Sequence, residues 1–152
     1  VGDTAWKRRD YKTTQLGSQS RAYRAARRAG AVTAILHGDG VITEAASANL
    51  WIVSETGILI TRHLSSALLP GITRARVQAL VGNIKVEERA FSLAELRSAS
   101  EAFTSSTGAM IAPLLAVDGK SIGDGKPGPV TRKVQAAYYE FIGANLSAID
   151  WL

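Results

Sequence analysis

Four stretches of this 152-residue chain carry groups that could do chemistry together. Lys12, in RRDYKTTQLGSQS, offers a primary amine between a tyrosine and a run of small polar residues. Glu44, in GVITEAASANLW, is a carboxylate at the end of a β-rich run, followed by small residues that let a flat ligand approach. The segment PGITR places Ile72 and Thr73 at a helix start, where unpaired backbone N–H groups and the helix dipole favour an anion. The loop FTSSTGA adds Thr104, Ser105, Ser106 and Thr107, hydroxyl donors of the kind that surround a phosphate. Taken singly, each has an ordinary reading: a surface charge, a solvated carboxylate, a cap, a polar loop. Together they are the parts needed to hold pyridoxal 5′-phosphate. The amine forms a Schiff base, the carboxylate keeps the pyridine nitrogen protonated so that the ring acts as an electron sink, and the turns hold the phosphate.

The elements that must position these groups follow from hydrophobic spacing. Thr14 to Ala29 reads as a helix with an apolar stripe of Leu16, Ala22, Tyr23, Ala26 and Ala29, stopped by Gly30. AVTAILHGDGVITE reads as a hairpin around His37-Gly38-Asp39-Gly40, and NLWIVSETGILITR as a second, turning at Glu55-Thr56-Gly57. Two consecutive hairpins predict an antiparallel sheet. LLPGITRARVQALVG leads through Pro and Gly into a helix with Ile72, Val77, Leu80 and Val81 available for packing. IKVEERAF reads as an exposed or edge strand, and SLAELRSA as a short helix capped by Ser92 with Glu95 three positions on. EAFTSSTGAMIAPLLAVDGKSI reads as strand, polar loop, strand and a turn at Asp118-Gly119, before a C-terminal helix after a Gly/Pro loop. The expected class is α+β: one mixed domain, a largely antiparallel sheet with packed helices.

Composition narrows the function classes. Hydrophobic residues make up 46% and charged residues 20%, which suits a domain with a real core. No apolar run approaches the ~20 residues of a membrane span, and VGDTAWKRR is too polar for a secretory signal. With no cysteine, disulfides, thiolate metal sites and a Cys nucleophile are excluded and no metal is called for; the redox compartment stays open, with the cytoplasm as the default. The chain opens on Val1 and its single methionine is Met110, so it is not expected to start where translation starts. Net charge is +5, and eight of the 18 basic residues (Lys7, Arg8, Arg9, Lys12, Arg21, Arg24, Arg27, Arg28) lie in the first 28 positions. A polyanion-binding module would use such a patch. A solvated helix face is the simpler reading, and no aromatics alternate with the arginines to stack on bases, so no nucleic-acid partner is expected.

The four motifs also carry a resemblance. In order and spacing they resemble those of the class IV (fold type IV) pyridoxal-phosphate aminotransferases, most nearly the D-amino-acid aminotransferases. DYKTTQL resembles the family's aspartate-hydrophobic-lysine-serine stretch, which gives Lys12 the Schiff-base role. TEAASAN resembles the glutamate-to-asparagine stretch whose glutamate, here Glu44, pairs with the pyridine nitrogen. PGIT resembles the phosphate turn, with Ile72 and Thr73 binding through backbone N–H and Thr73 also through its hydroxyl. TSSTGAMIAP resembles the second phosphate loop, with Ser106 and Thr107 contributing, and Leu69 falls where an aliphatic side chain packs on the ring. The resemblance runs from about Trp6 to the C-terminal helix. It implies the family's large domain, a pseudo-barrel sheet with packed helices, as one unit over residues 1–152, and an N-terminal lobe that this chain does not contain. It implies transamination between an amino acid and a 2-keto acid, by a homodimer away from membranes. Branched-chain aminotransferase and aminodeoxychorismate lyase activities use the same lysine and glutamate; an inactive structural domain is the remaining alternative. Ala5, Gln15 and Gly108-Ala109-Met110 depart from common family residues.

Overall fold

The computed structural model describes residues 1–3 and 8–143. Expectations that fall on Ala5, Trp6, Lys7 or the last nine residues lie outside the described residues.

Strands β1 (Ile35–Gly38) and β2 (Val41–Ala45) form the first predicted hairpin. Its turn holds Asp39 at φ 51° and Gly40 at φ 80°, the left-handed pair that a two-residue loop needs to match strand twist. β3 (Asn49–Val53) and β4 (Leu59–Thr61) form the second. The two hairpins do not share a sheet, which corrects the expectation from sequence. β1–β2 stands as its own ribbon, and β3 and β4 join a five-stranded sheet of order β5-β4-β3-β6-β7. Ala45 N–H donates to Ala48 O, and this tight turn of small residues redirects the chain between the two. β5 (Val86–Glu88) is the edge strand anticipated, β6 is Glu101–Ser106, and β7 is Met110–Pro113. Pairing in the large sheet is antiparallel except β4–β5, where helix α2 (Ile72–Leu80) makes the crossover that a parallel pair requires.

All five residues of β3 are buried, as a central strand covered on both faces must be. Leu50 and Ile52 pack on one face with Ile60, Phe91 and Leu96. Trp51 and Val53 pack on the other with Val77, Phe103 and Val134. The first face is closed by α3 (Leu93–Ser98), whose Ser92/Glu95 capping box forms as expected, and by the ribbon β8–β9 (Ala116–Val117, Lys120–Ser121). The second is closed by α2 and α4 (Pro129–Phe141). Buried Glu101 receives the N–H groups of Val130 and Thr131 at 3.0 and 2.7 Å, fastening the start of α4 to the sheet.

Helix α1 (Gly17–Arg28) begins three residues later than expected. Thr13 Oγ1 takes the Gln15 N–H and Thr14 O takes that of Leu16, so local turns compete with the first helical turn. Of its predicted stripe, Ala22 and Ala26 are buried against Ala34, Leu36 and Ala46, while Leu16 and Ala29 are exposed. Among the described residues no helix is long and apolar enough to cross a membrane.

Candidate cofactor site

The pairing of β1 with β2 is irregular at one point. Ile35 faces Ala45 and His37 faces Ile42, so Leu36 alone opposes both Thr43 and Glu44. Such a bulge re-aims side chains that regular alternation would send to opposite faces. Both residues are buried as a result. Thr43 Oγ1 lies 2.9 Å from Asp3 Oδ2 and 3.2 Å from Leu36 O. Glu44 Oε2 accepts the Leu69 N–H at 3.0 Å, and Oε1 accepts from Arg9 Nη2. Burial pushes the Glu44 carboxyl above the ordinary carboxylate range; Arg9 and the Leu69 N–H pull it back without cancelling the rise, and Asp3 adds to it.

The Leu69 contact ties Glu44 to the PGIT turn. Leu69 O accepts from Asn49 Nδ2 at 2.8 Å, so Leu69 is clamped at both backbone groups by two side chains of the TEAASAN stretch. Two residues on, Gly71 has φ −67° and ψ 137°, a conformation open to any residue. Space is what demands glycine here: a Cβ would lie 2.3 Å from Asn49 Oδ1. Asn49 is buried and bonded to Leu69 O, so it cannot swing away freely. Gly71→Ala is expected to destabilise the chain by about 1–3 kcal/mol, the range for forced overpacking, read as a lowered melting temperature. An unchanged melt would show that Asn49 yields and is not the clamp described.

Beyond Gly71, no side chain caps α2, and its first-turn N–H groups are available to an anion. Thr73 is buried within that turn. Ile72, expected to pack, is 77% exposed. Helical geometry sends Val77 and Val81 to the core and leaves position 72, at the helix mouth, on the opposite side.

The TSSTGA loop is adjacent by strand register. Asn49 on β3 pairs with Ser105 on β6, so Ser106 and Thr107 emerge beside the residue that supports PGIT. The expected hydroxyl cluster divides in two. Ser105 Oγ faces inward and accepts from Trp51 Nε1 at 2.9 Å, and Thr104 Oγ1 lies 3.5 Å from Ala112 O. Ser106 Oγ accepts the Ala109 N–H at 3.1 Å, which leaves its own proton to donate, and Thr107 is exposed. Strand alternation separates Ser105 from Ser106; Thr104 shares the face of Ser106 but pairs with Leu50 and Ala112 inside the sheet, and Thr107 lies beyond the strand end.

Lys12 lies exposed in the coil before α1, and no hydrogen bond or ion pair engages its amine among the described residues. It follows Arg9 by three residues, a span of at most ~11 Å of extended chain. Arg9 is a buried charge beside Glu44 that the sequence does not reveal. It was counted with the solvated charges, yet its side chain is 6% exposed and reaches Glu44. The arginines of α1, by contrast, are exposed as expected. A charge run does not reveal which member turns inward.

These donors and acceptors fit pyridoxal phosphate: a buried carboxylate for a ring nitrogen, a free amine, an uncapped helix start and hydroxyls beside it. The model of the family described as amino-transferase class IV matches residues 2–117. This chain belongs to that family. A D-alanine aminotransferase of Bacillus licheniformis is 37% identical over 137 residues, which is 89% of this chain and 48% of the relative. A branched-chain-amino-acid aminotransferase-like protein of Arabidopsis thaliana is 43% identical over 106 residues, 68% of this chain and 19% of the relative. The Escherichia coli branched-chain amino acid aminotransferase superposes with TM-score 0.80 at 33% identity, covering 99% of this chain and 53% of that one. The Thermobaculum terrenum branched-chain enzyme in its PLP form superposes with TM-score 0.84 at 28% identity, covering 99% and 50%. The class IV amino-transferase fold is therefore present over nearly the whole chain. The chain spans about half the length of the curated D-alanine aminotransferases it matches.

Proposed function

We propose that this class IV chain is the cofactor-binding half of a pyridoxal-phosphate-dependent aminotransferase. The reaction moves an amino group between an amino acid, with D-amino acids favoured, and a 2-keto acid. The observation that carries the reading is the clamp at Leu69: buried Glu44 is bonded to the loop that opens the phosphate turn, so the two ends of one cofactor are addressed by a single rigid segment. The D-alanine aminotransferase sequences support the D-amino-acid preference; the branched-chain structures share the fold and keep the branched-chain substrates as the competing choice.

When bound, the cofactor supplies an electron sink for carbanion chemistry at the substrate's α-carbon. The chain's residues do the rest. Lys12 would hold the cofactor through its amine and would move the proton at the substrate's α-carbon. Glu44 holds a proton at the ring nitrogen. The N–H groups of Ile72 and Thr73, with the hydroxyls of Thr73, Ser106 and Thr107, would bind the phosphate, and the Leu69 side chain would pack on the ring. Tyr11, Leu16, Leu64 and Ile72 are exposed on the segments around the site. A preceding lobe and a second copy of the chain would cover them, completing the substrate pocket in a homodimer.

The deciding experiment adds pyridoxal phosphate to the whole protein, reduces with borohydride and maps the labelled peptide. Label on Lys12 is expected; label elsewhere, or none, overturns the assignment. Transamination assays with D- and L-amino acids then choose the substrate class.

A further inference from the structure

Arg9 is held on three sides. Its backbone N–H donates to Ser66 O at 2.8 Å, its Nη1 meets Asp3 Oδ1 at 2.6 Å, and its Nη2 meets Glu44 Oε1. Arg9 and Glu44 side chains are 6% and 7% exposed. Asp3 is fastened in turn by its own N–H to His37 O and by the Thr43 hydroxyl. The guanidinium thus bridges the segment that carries Lys12, the start of the chain and the bulge that carries Glu44. With Leu69 N–H on the other oxygen, the carboxylate has one orientation, and each oxygen keeps a second lone pair for a further donor.

We propose that Arg9 is a positioning residue that, held by Asp3, orients the Glu44 carboxylate and keeps it ionised for the ring nitrogen of the bound cofactor. This rests on the role of Glu44 proposed above. The physical reason is the site's dryness: an unpaired buried carboxyl takes up a proton, and a protonated Glu44 no longer stabilises a pyridinium. Among the described residues the charged groups that face Glu44 are Arg9 and Asp3, and they act in opposite directions, Arg9 lowering its proton affinity and Asp3 raising it. A mere packing role for Arg9 has no such pair of signs.

The test is the titration of the Glu44 side-chain carbon by carbon-13 NMR in the cofactor-free protein, assigned by its loss in Glu44→Gln. Arg9→Met is expected to move the titration to higher pH than in the parent, and Arg9→Lys to restore most of the shift. Asp3→Asn keeps an oxygen for Arg9, removes the charge, and is expected to move the titration to lower pH. If Arg9→Met does not fold, Arg9→Lys and Asp3→Asn still decide between the readings. A Glu44 titration unmoved by Asp3→Asn or Arg9→Met, or moved the same way by both, overturns the proposal. Because no cofactor is present, this result is independent of borohydride labelling at Lys12. Failure of one is therefore distinguishable from failure of the other.

Discussion

Lys12→Arg is expected to abolish borohydride-fixed label and to lower turnover of the whole protein by about 10²–10⁴-fold, the range for removing a positioned proton-transfer group. Arginine keeps the charge but cannot shed a proton near neutrality or hold the cofactor through a primary amine. The same substitution should leave thermal stability within about 0.5 kcal/mol, as for other exposed positions. The Lys12 side chain is exposed and bonds to none of the described residues, so folding does not depend on it. Activity lost without stability lost separates a chemical role from a structural one. A variant that still turns over at the parental rate, measured as keto-acid formation, removes Lys12 from the mechanism.

Glu44→Gln should retain cofactor through the phosphate turns and lose about 10²–10³-fold in turnover, the scale for removing one preorganised electrostatic partner. Its stability should also depend on pH in a particular direction. Glu44 Oε1 and Oε2 each face a donor, Arg9 and the Leu69 N–H. A glutamine must turn its amide N–H₂ towards one of them, which costs about 1–3 kcal/mol for the frustrated pair. The folded-state proton affinity of Glu44 is raised, chiefly by burial. Its contribution is therefore fully present below the unfolded carboxyl value and declines as pH rises through the folded value, a decline glutamine lacks. The stability gap between parent and variant should narrow as pH rises above the ordinary carboxylate range. Denaturant melts at several pH values would show it; a gap that widens with pH contradicts the burial-dominated site.

The sequence by itself determined the class of the fold, its elements and the four motifs. Those signals are local. Capping at Ser92, the Asp39-Gly40 turn, strand-length apolar runs and an uncapped Gly-Ile-Thr helix start each draw on residues within a few positions. The motifs were legible because each combines a chemical group with the small residues that must sit beside it. Only the tertiary structure decided what joins them. The bulge that buries Glu44 is a register event between two strands, and no single strand records it. The need for glycine at position 71 comes from Asn49, 22 positions earlier, and the separation of Ser105 from Ser106 comes from which sheet face meets Trp51. The inward turn of Arg9 depends on Asp3, Ser66 and Glu44 converging from three parts of the chain. An arginine beside another arginine reads the same whether it faces water or a buried carboxylate, because burial and ion pairing are properties of the fold. That is why the amine and carboxylate of the proposed site could be read from the sequence, and the guanidinium between their segments could not.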